Sequence, residues 1–272
     1  MPTKDKTLPD FDSPPVREVV CGITFKSLDG LSAPYLGLWW QGMRDAYPKC
    51  VEQPPLAQVI ERYDRSRQRD QVEVFNVPPL PRLWFLSSDE TRVLQVQRDR
   101  LLHNWKKVEA NNEYPRYPRV LKMFRDALTS FESFLCAEKL GAIEPLQYEL
   151  TYVNHIKLER QWSSLGGIGA LLPDFSWRDA AVRFLPSLET VSLRMSFALP
   201  ERGGRLHISA QNATQVSDQQ EIVVLDLTVR GMPLDKSRES MWQWFDLARE
   251  WIVRGFVDLT STQAQVEVWR KL

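Results

Sequence analysis

Apolar and polar residues alternate, or recur at helical spacing, in separable blocks along the chain. The stretch "VREVVCGITFKSL" (16–28) is rich in Val, Ile and Thr and bounded by Pro14-Pro15 and Asp29-Gly30, which predicts a strand. Ser32 then suits an N-cap with Pro34 in the first turn, and Leu36, Trp39, Met43 and Ala46 recur at helical spacing up to Pro48. Residues 49–80 are charged and proline-interrupted; they read as a long, partly mobile connection, with one strand candidate at 71–77. "RLWFLSS" (82–88) and "TRVLQVQ" (91–97) form a predicted hairpin around Asp89-Glu90. The next clear element begins near Pro118, where Leu121, Phe124, Leu128, Phe131 and Leu135 mark a long amphipathic helix stopped by Gly141.

The second half follows a similar plan. "QYELTYVNHIKLE" (147–159) is strand-like and can be laid over 16–28, matching Glu149 to Glu18 and Lys157 to Lys26. A short helical piece is expected over 162–172, then strands over 190–199, 205–215 and 221–229, with Gly203-Gly204 as a turn signal. A long helix opens near Ser237 with Met241, Phe245, Ala248, Ile252 and Leu259 on one side. The expected fold class is therefore α+β: a disordered or extended tail over 1–15, then two units over 16–143 and 144–272. Each unit runs strand, helix, antiparallel strands, long helix. The parallel fits an ancient tandem duplication with the helices on one face of the sheets; a chance match of two common patterns is the competing reading. The opposite, partly polar sheet face is then the natural contact surface.

Composition narrows the function classes. Over 272 residues, 35 basic side chains balance 35 acidic ones, so no net field favours nucleic acid or an anionic membrane. The three cysteines are far apart and show no CxxC or Cys/His spacing, which argues against a zinc site or disulfide framework, and no cofactor is expected. The polar, proline-rich start is unlike a secretory leader and no window is apolar enough for a membrane span, so the expected location is cytoplasmic with no membrane partner.

The densest polar stretch is "LQVQRDRLLHNWKK" (94–107). As a strand, it places Gln95, Gln97 and Asp99 on one side. One reading is a binding platform formed with Arg100, Asn104 and Trp105. The other is a brace, with Asp99 accepting from Arg100 or Arg116, Asn104 capping a turn and Trp105 packed beneath. "YPRYPR" interleaves Tyr114, Arg116 and Tyr117 as a base-stacking motif would, yet it also suits a helix entry, with Pro118 in the first turn and Tyr117 as a hydrophobic staple. Glu18 and Glu149 would occupy matching places on the first strand of each unit, where facing carboxylates could perturb one another or hold a cation; each making its own salt bridge is the plainer reading. His103, His155 and His207 fall in no HxH or HExxH spacing, so no catalytic or metal-binding residue is assigned.

Three motifs also carry a resemblance. Pro14, Pro15, Val16, Glu18, Val19 and Val20, then Gln95, Gln97, Asp99, Arg100, Asn104 and Trp105, then Tyr114, Pro115, Arg116 and Tyr117 resemble a sporadically distributed family of bacterial proteins without an established activity. Leu101 stands where that family commonly has Phe. The resemblance covers the first 140 or so residues and implies no catalytic residue. The family's patchy distribution would suit mobile cassettes for antiviral defence or toxin–antitoxin systems.

The leading expectation is a non-enzymatic subunit or adaptor that binds another protein. The first alternative is a nucleic-acid binder contacting its ligand through Arg98, Arg100, Lys106, Lys107, Arg116 and Arg119. The second is an unrecognised hydrolase or nuclease assembled from Glu18, Asp99, Glu149 and His155.

Overall fold

The computed structural model describes residues 7–61, 80–157, 165–175, 184–215, 219–233, 235 and 237–272. Its strands are β1 (Val16–Phe25), β2 (Lys49–Gln53), β3 (Arg82–Leu86), β4 (Arg92–Gln97), β5 (Arg100–Lys106), β6 (Pro145–Lys157), β7 (Ser192–Ala198), β8 (Arg205–Thr214) and β9 (Glu221–Gly231). All join one antiparallel sheet in the order β2-β3-β4-β5-β1-β6-β9-β8-β7. The α+β class holds. Strands β1 and β6 form the central pair, with Cys21 opposite Leu150. Outward from that pair, β5 and then β4 flank β1, while β9 and then β8 flank β6.

Two strands depart from the sequence expectation. Lys49–Gln53 is not part of a featureless connection but an edge strand paired with β3. Arg100–Lys106 is a full strand, turned back on β4 through Arg98 and Asp99, where one reading had Asn104 capping a turn. The strand candidate at 71–77 lies outside the described residues, and the expected helical piece at 162–172 is a 3-10 helix over Leu165–Ala170.

Three helices, α1 (Ala33–Gln41), α2 (Tyr117–Ala137) and α3 (Arg238–Leu259), complete the core. The apolar stripe of α2 buries Val120, Leu121, Phe124, Leu128, Phe131 and Leu135. Phe131 packs on Phe25 of β1 at 6.2 Å and on Trp39 of α1 at 4.7 Å, and Trp39 also meets Phe85 of β3. At the N-terminus of α3, Ser237 caps by accepting from the amide of Ser240 at 3.2 Å. Tyr148 of β6 packs on Trp244 and Phe245 of α3, and Phe245 meets Phe124 of α2 at 5.4 Å. Full burial of a large apolar side chain contributes about 1.5–3 kcal/mol, so these rings add substantially to the packing between layers.

Residues 10–13 follow the C-terminal segment, and the Pro15 carbonyl accepts from the His155 amide of β6. Phe11 is buried against Phe256 and Trp269, and the amides of Asp12 and Ser13 donate to the carbonyls of Arg270 and Trp269. Gly204, at φ +153, lets the turn before β8 approach Gly231 closely.

Candidate functional site

Strand residues alternate between two sides, and here the alternation separates chemistry as well. On β1, Val19, Cys21, Ile23 and Phe25 enter the helix-covered core, while Glu18, Val20, Gly22 and Thr24 point the other way. The same parity on the neighbours gathers Arg82, Trp84, Gln95, Gln97, Asn104, Glu149, Thr151, Asp226, Thr228, Arg230, Arg205 and His207 on that second, polar face.

One chain of hydrogen bonds runs across β3, β4, β5 and β1. Arg82 and Trp84 both donate to Gln95 Oε1 (2.8 and 2.9 Å), Gln95 donates to Asn104 Oδ1 (2.8 Å), and Asn104 donates to Glu18 Oε1 (2.5 Å). Gln95 and Asn104 are buried, so each lost partner would expose the full desolvation cost of an amide. Arg82 and Lys106 flank the Trp84 ring at 5.2 and 6.0 Å.

A second set of contacts holds residues 54–61 as a strap over the same face. Gln97 Oε1 accepts from the Leu56 amide and Gln97 Nε2 donates to the Leu56 carbonyl, both at 3.0 Å. Arg100 donates to the Ala57 carbonyl at 3.1 Å. Gln147 repeats the double reading on β6: its Oε1 accepts from the Glu61 amide at 2.7 Å and its Nε2 donates to the Val59 carbonyl at 2.8 Å. With the strap in place both glutamines are buried, at 5% and 3% exposure, and its main chain satisfies their amides.

The strap ends in a clamp. Glu61 accepts from Arg205 at 2.6 Å and bonds His207 Nε2 at 2.5 Å, and its carboxylate is only 9% exposed. Burial alone would raise the Glu61 pKa, but the hydrogen bond and charge of His207, with Arg205 beside it, hold it below the usual carboxylate value. His207 Nδ1 bonds Ser196 Oγ at 3.0 Å. Serine, histidine and glutamate are the members of a hydrolytic triad, but here Ser196 simply stands opposite His207 on the neighbouring strand. Arg205 already neutralises Glu61, so the row reads as a cross-strand clasp rather than an activated nucleophile.

The sequence-derived residues divide between the two faces. Gln95, Gln97, Arg100, Asn104, Glu18 and Glu149 belong to the polar face. Trp105, Tyr114 and Tyr117 belong to the core: Trp105 meets Tyr114 at 5.3 Å, and Tyr114 and Tyr152 share a hydroxyl hydrogen bond at 3.1 Å. Burial pushes the Tyr114 hydroxyl up to about 12, so it remains a neutral packing group. Tyr117 is N1 of α2, its hydroxyl donates to Asp246, and Pro118 takes the first turn as expected. The expected brace differs in its partners. Asp99 accepts from Gln97 rather than from an arginine, Arg116 reaches Asp10 and the Phe11 carbonyl, and Asn104 lies mid-strand rather than at a turn.

The two carboxylates do not face each other. Glu18 is opposite Val153 and Glu149 is opposite Gly22, so they stand four residues apart in register. Asn104 holds the first and Arg230 the second. The four residues of the hydrolase reading are likewise spread out, since Glu18 and Asp99 lie at opposite ends of β1 and β5. The six cations of the nucleic-acid reading also separate, with Arg116 and Arg119 at the start of α2 and Arg100 and Lys106 on the sheet. Among the described residues no group of three or more His, Cys, Asp or Glu side chains could hold a metal ion, and no helix is long and apolar enough to cross a membrane.

Glu61, Gln147, Arg205, Asp226 and Arg230 were not singled out in the sequence, and His207 was given no role there. The clamp joins residues 144 and 146 positions apart, so no local spacing announces it. The only signal was the regular polar alternation of Arg205, His207 and Ser209 along β8. No family model matches the chain, and no curated protein matches it.

Proposed function

We propose that this chain is a non-enzymatic binding subunit that acts through another protein, with the polar face of the sheet as its contact surface. One observation carries the reading: that face already holds an extended segment by its main chain, through the buried amides of Gln97 and Gln147. The proposal extends to cytoplasmic action within a bacterial defence or toxin–antitoxin-like cassette, supported by the resemblance of the three motifs. It includes an origin by tandem duplication, each unit laying its long helix on the same side. The matching order of β1, β5, β4 and β6, β9, β8 about the centre favours that origin.

A nucleic-acid reading stands second, favoured by Trp84 between Arg82 and Lys106 as a stacking platform. Affinity purification of the tagged chain from its native host, with and without nuclease, separates the two. The adaptor reading expects a stoichiometric protein that survives nuclease and is lost with Lys106→Glu. Nucleic acid in the eluate, or partners released by nuclease, would promote the second reading.

A further inference from the structure

We propose that the strap, residues 54–61, is an intramolecular stand-in for a partner's segment. The partner would supply an extended peptide with Asp or Glu five residues after the residue that docks on Gln97. This deepens the adaptor reading and rests on it.

The geometry separates what the face reads from what it ignores. Five of the strap's contacts are to main-chain atoms of Leu56, Ala57, Val59 and Glu61. The apolar side chains Leu56 and Val59 point outward at 36% and 43% exposure. A segment held this way keeps its place with little regard to sequence and buries little apolar surface of its own. Pro54 and Pro55 restrict its entry to extended conformations. The point of side-chain selection is the terminal carboxylate in the Arg205–His207 clamp.

The host groups explain why an occupant is needed and which kind. Each glutamine offers an acceptor and a donor that the strap's main chain pairs, so a departing strap leaves both amides to water or to another main chain. Their Oε1 atoms each accept from an amide N–H of the strap. A phosphodiester would set its own acceptor oxygens against them with no proton between. A peptide main chain, by contrast, brings an N–H and a C=O to each glutamine, as the strap does. Exchange follows: while tethered, the strap competes at an effective concentration in the millimolar range, so loosening its clamp should open the site.

The test uses the full chain and a fluorescein-labelled peptide PPLAQVIE, read by anisotropy, beside the same peptide ending in Gln. Glu61→Gln should bind the Glu-ended peptide about tenfold more tightly than the wild type does. It should prefer that peptide about tenfold over the Gln-ended one, and Arg205→Gln in the same background should abolish the preference. Equal binding by wild type and a folded Glu61→Gln chain, or equal binding of the two peptides, would overturn the inference. Should Glu61→Gln fail to fold, Pro54→Gly/Pro55→Gly loosens the strap without touching the host groups and is judged by the same criteria. A host protein whose capture the peptide competes away supports the inference. A captured protein that ignores the peptide overturns it and leaves the adaptor reading standing, whereas peptide binding with no captured protein overturns the adaptor reading and the partner with it.

Discussion

Asp226→Asn should stabilise the protein at neutral and alkaline pH and leave it unchanged near pH 4. Asp226 sits on β9 in the cross-strand row Glu18, Val153, Asp226, Ser209, and its Oδ1 is buried without a partner. Burial first, and the Glu18 carboxylate second, push its pKa from 3.8 up to about 6. A folded-state value above the unfolded one means that the protonated form is the stabilised form. That advantage is complete below about pH 4 and is lost as pH rises through 6. The shift is equivalent to about 3 kcal/mol at full strength, and screening of the half-buried carboxyl reduces this to about 1–2 kcal/mol. Asparagine mimics the neutral acid in shape, so urea unfolding followed by tryptophan fluorescence should show that gain at pH 8. A gain equal at pH 4 and pH 8 would assign the effect to packing, and no gain at pH 8 would refute the electrostatic account. Glu18→Gln, which removes only the lesser cause, should recover a smaller part of the gain.

Gln97→Ala removes both strap contacts at Leu56 and should cost about 1–3 kcal/mol, with faster hydrogen exchange of the Leu56 amide; an unchanged exchange rate there would contradict the strap's role. His103 is fully buried beside Tyr47, and desolvation pushes its pKa down to about 3. Its unfolded form takes up a proton below about pH 6.5 while the folded form does not, so acid to pH 4.5 should cost about 3 kcal/mol. NMR titration of that imidazole should show it neutral at pH 4.5, and a midpoint near 6.5 would refute its burial. Gly231→Ala brings a Cβ within 2.3 Å of the Gly203 carbonyl and 2.4 Å of Gly204 Cα, so it should destabilise by about 1–3 kcal/mol in urea unfolding.

The sequence was most legible where one side of an element faces the core. Strands β1, β6, β8 and β9, the β3–β4 hairpin and all three helices carry apolar residues at the period of their structure. β2 was invisible because an exposed edge strand, "KCVEQ", has no buried side to impose alternation. β5 was hidden for another reason. Its core-facing residues are Leu101, His103 and Trp105, so a buried histidine interrupts the apolar set, and the turn at Arg98-Asp99 lacks the glycine or asparagine of a tight hairpin. The candidate site was half legible. The alternation that grouped Gln95 with Gln97 was sound, but the same alternation sends Trp105 away from Asn104 into the core. The strap leaves no trace in local pattern because it is held by main-chain atoms, which every sequence possesses.

The adaptor account turns on which side of the sheet meets the partner. A photo-crosslinking residue can be introduced at Trp84 on the polar face and, separately, at Lys122 on the exposed side of α2, with irradiation in the native host. The account expects one protein adduct from position 84, suppressed by the PPLAQVIE peptide, and none from position 122. An adduct from position 122 alone, or none from either site, would contradict it.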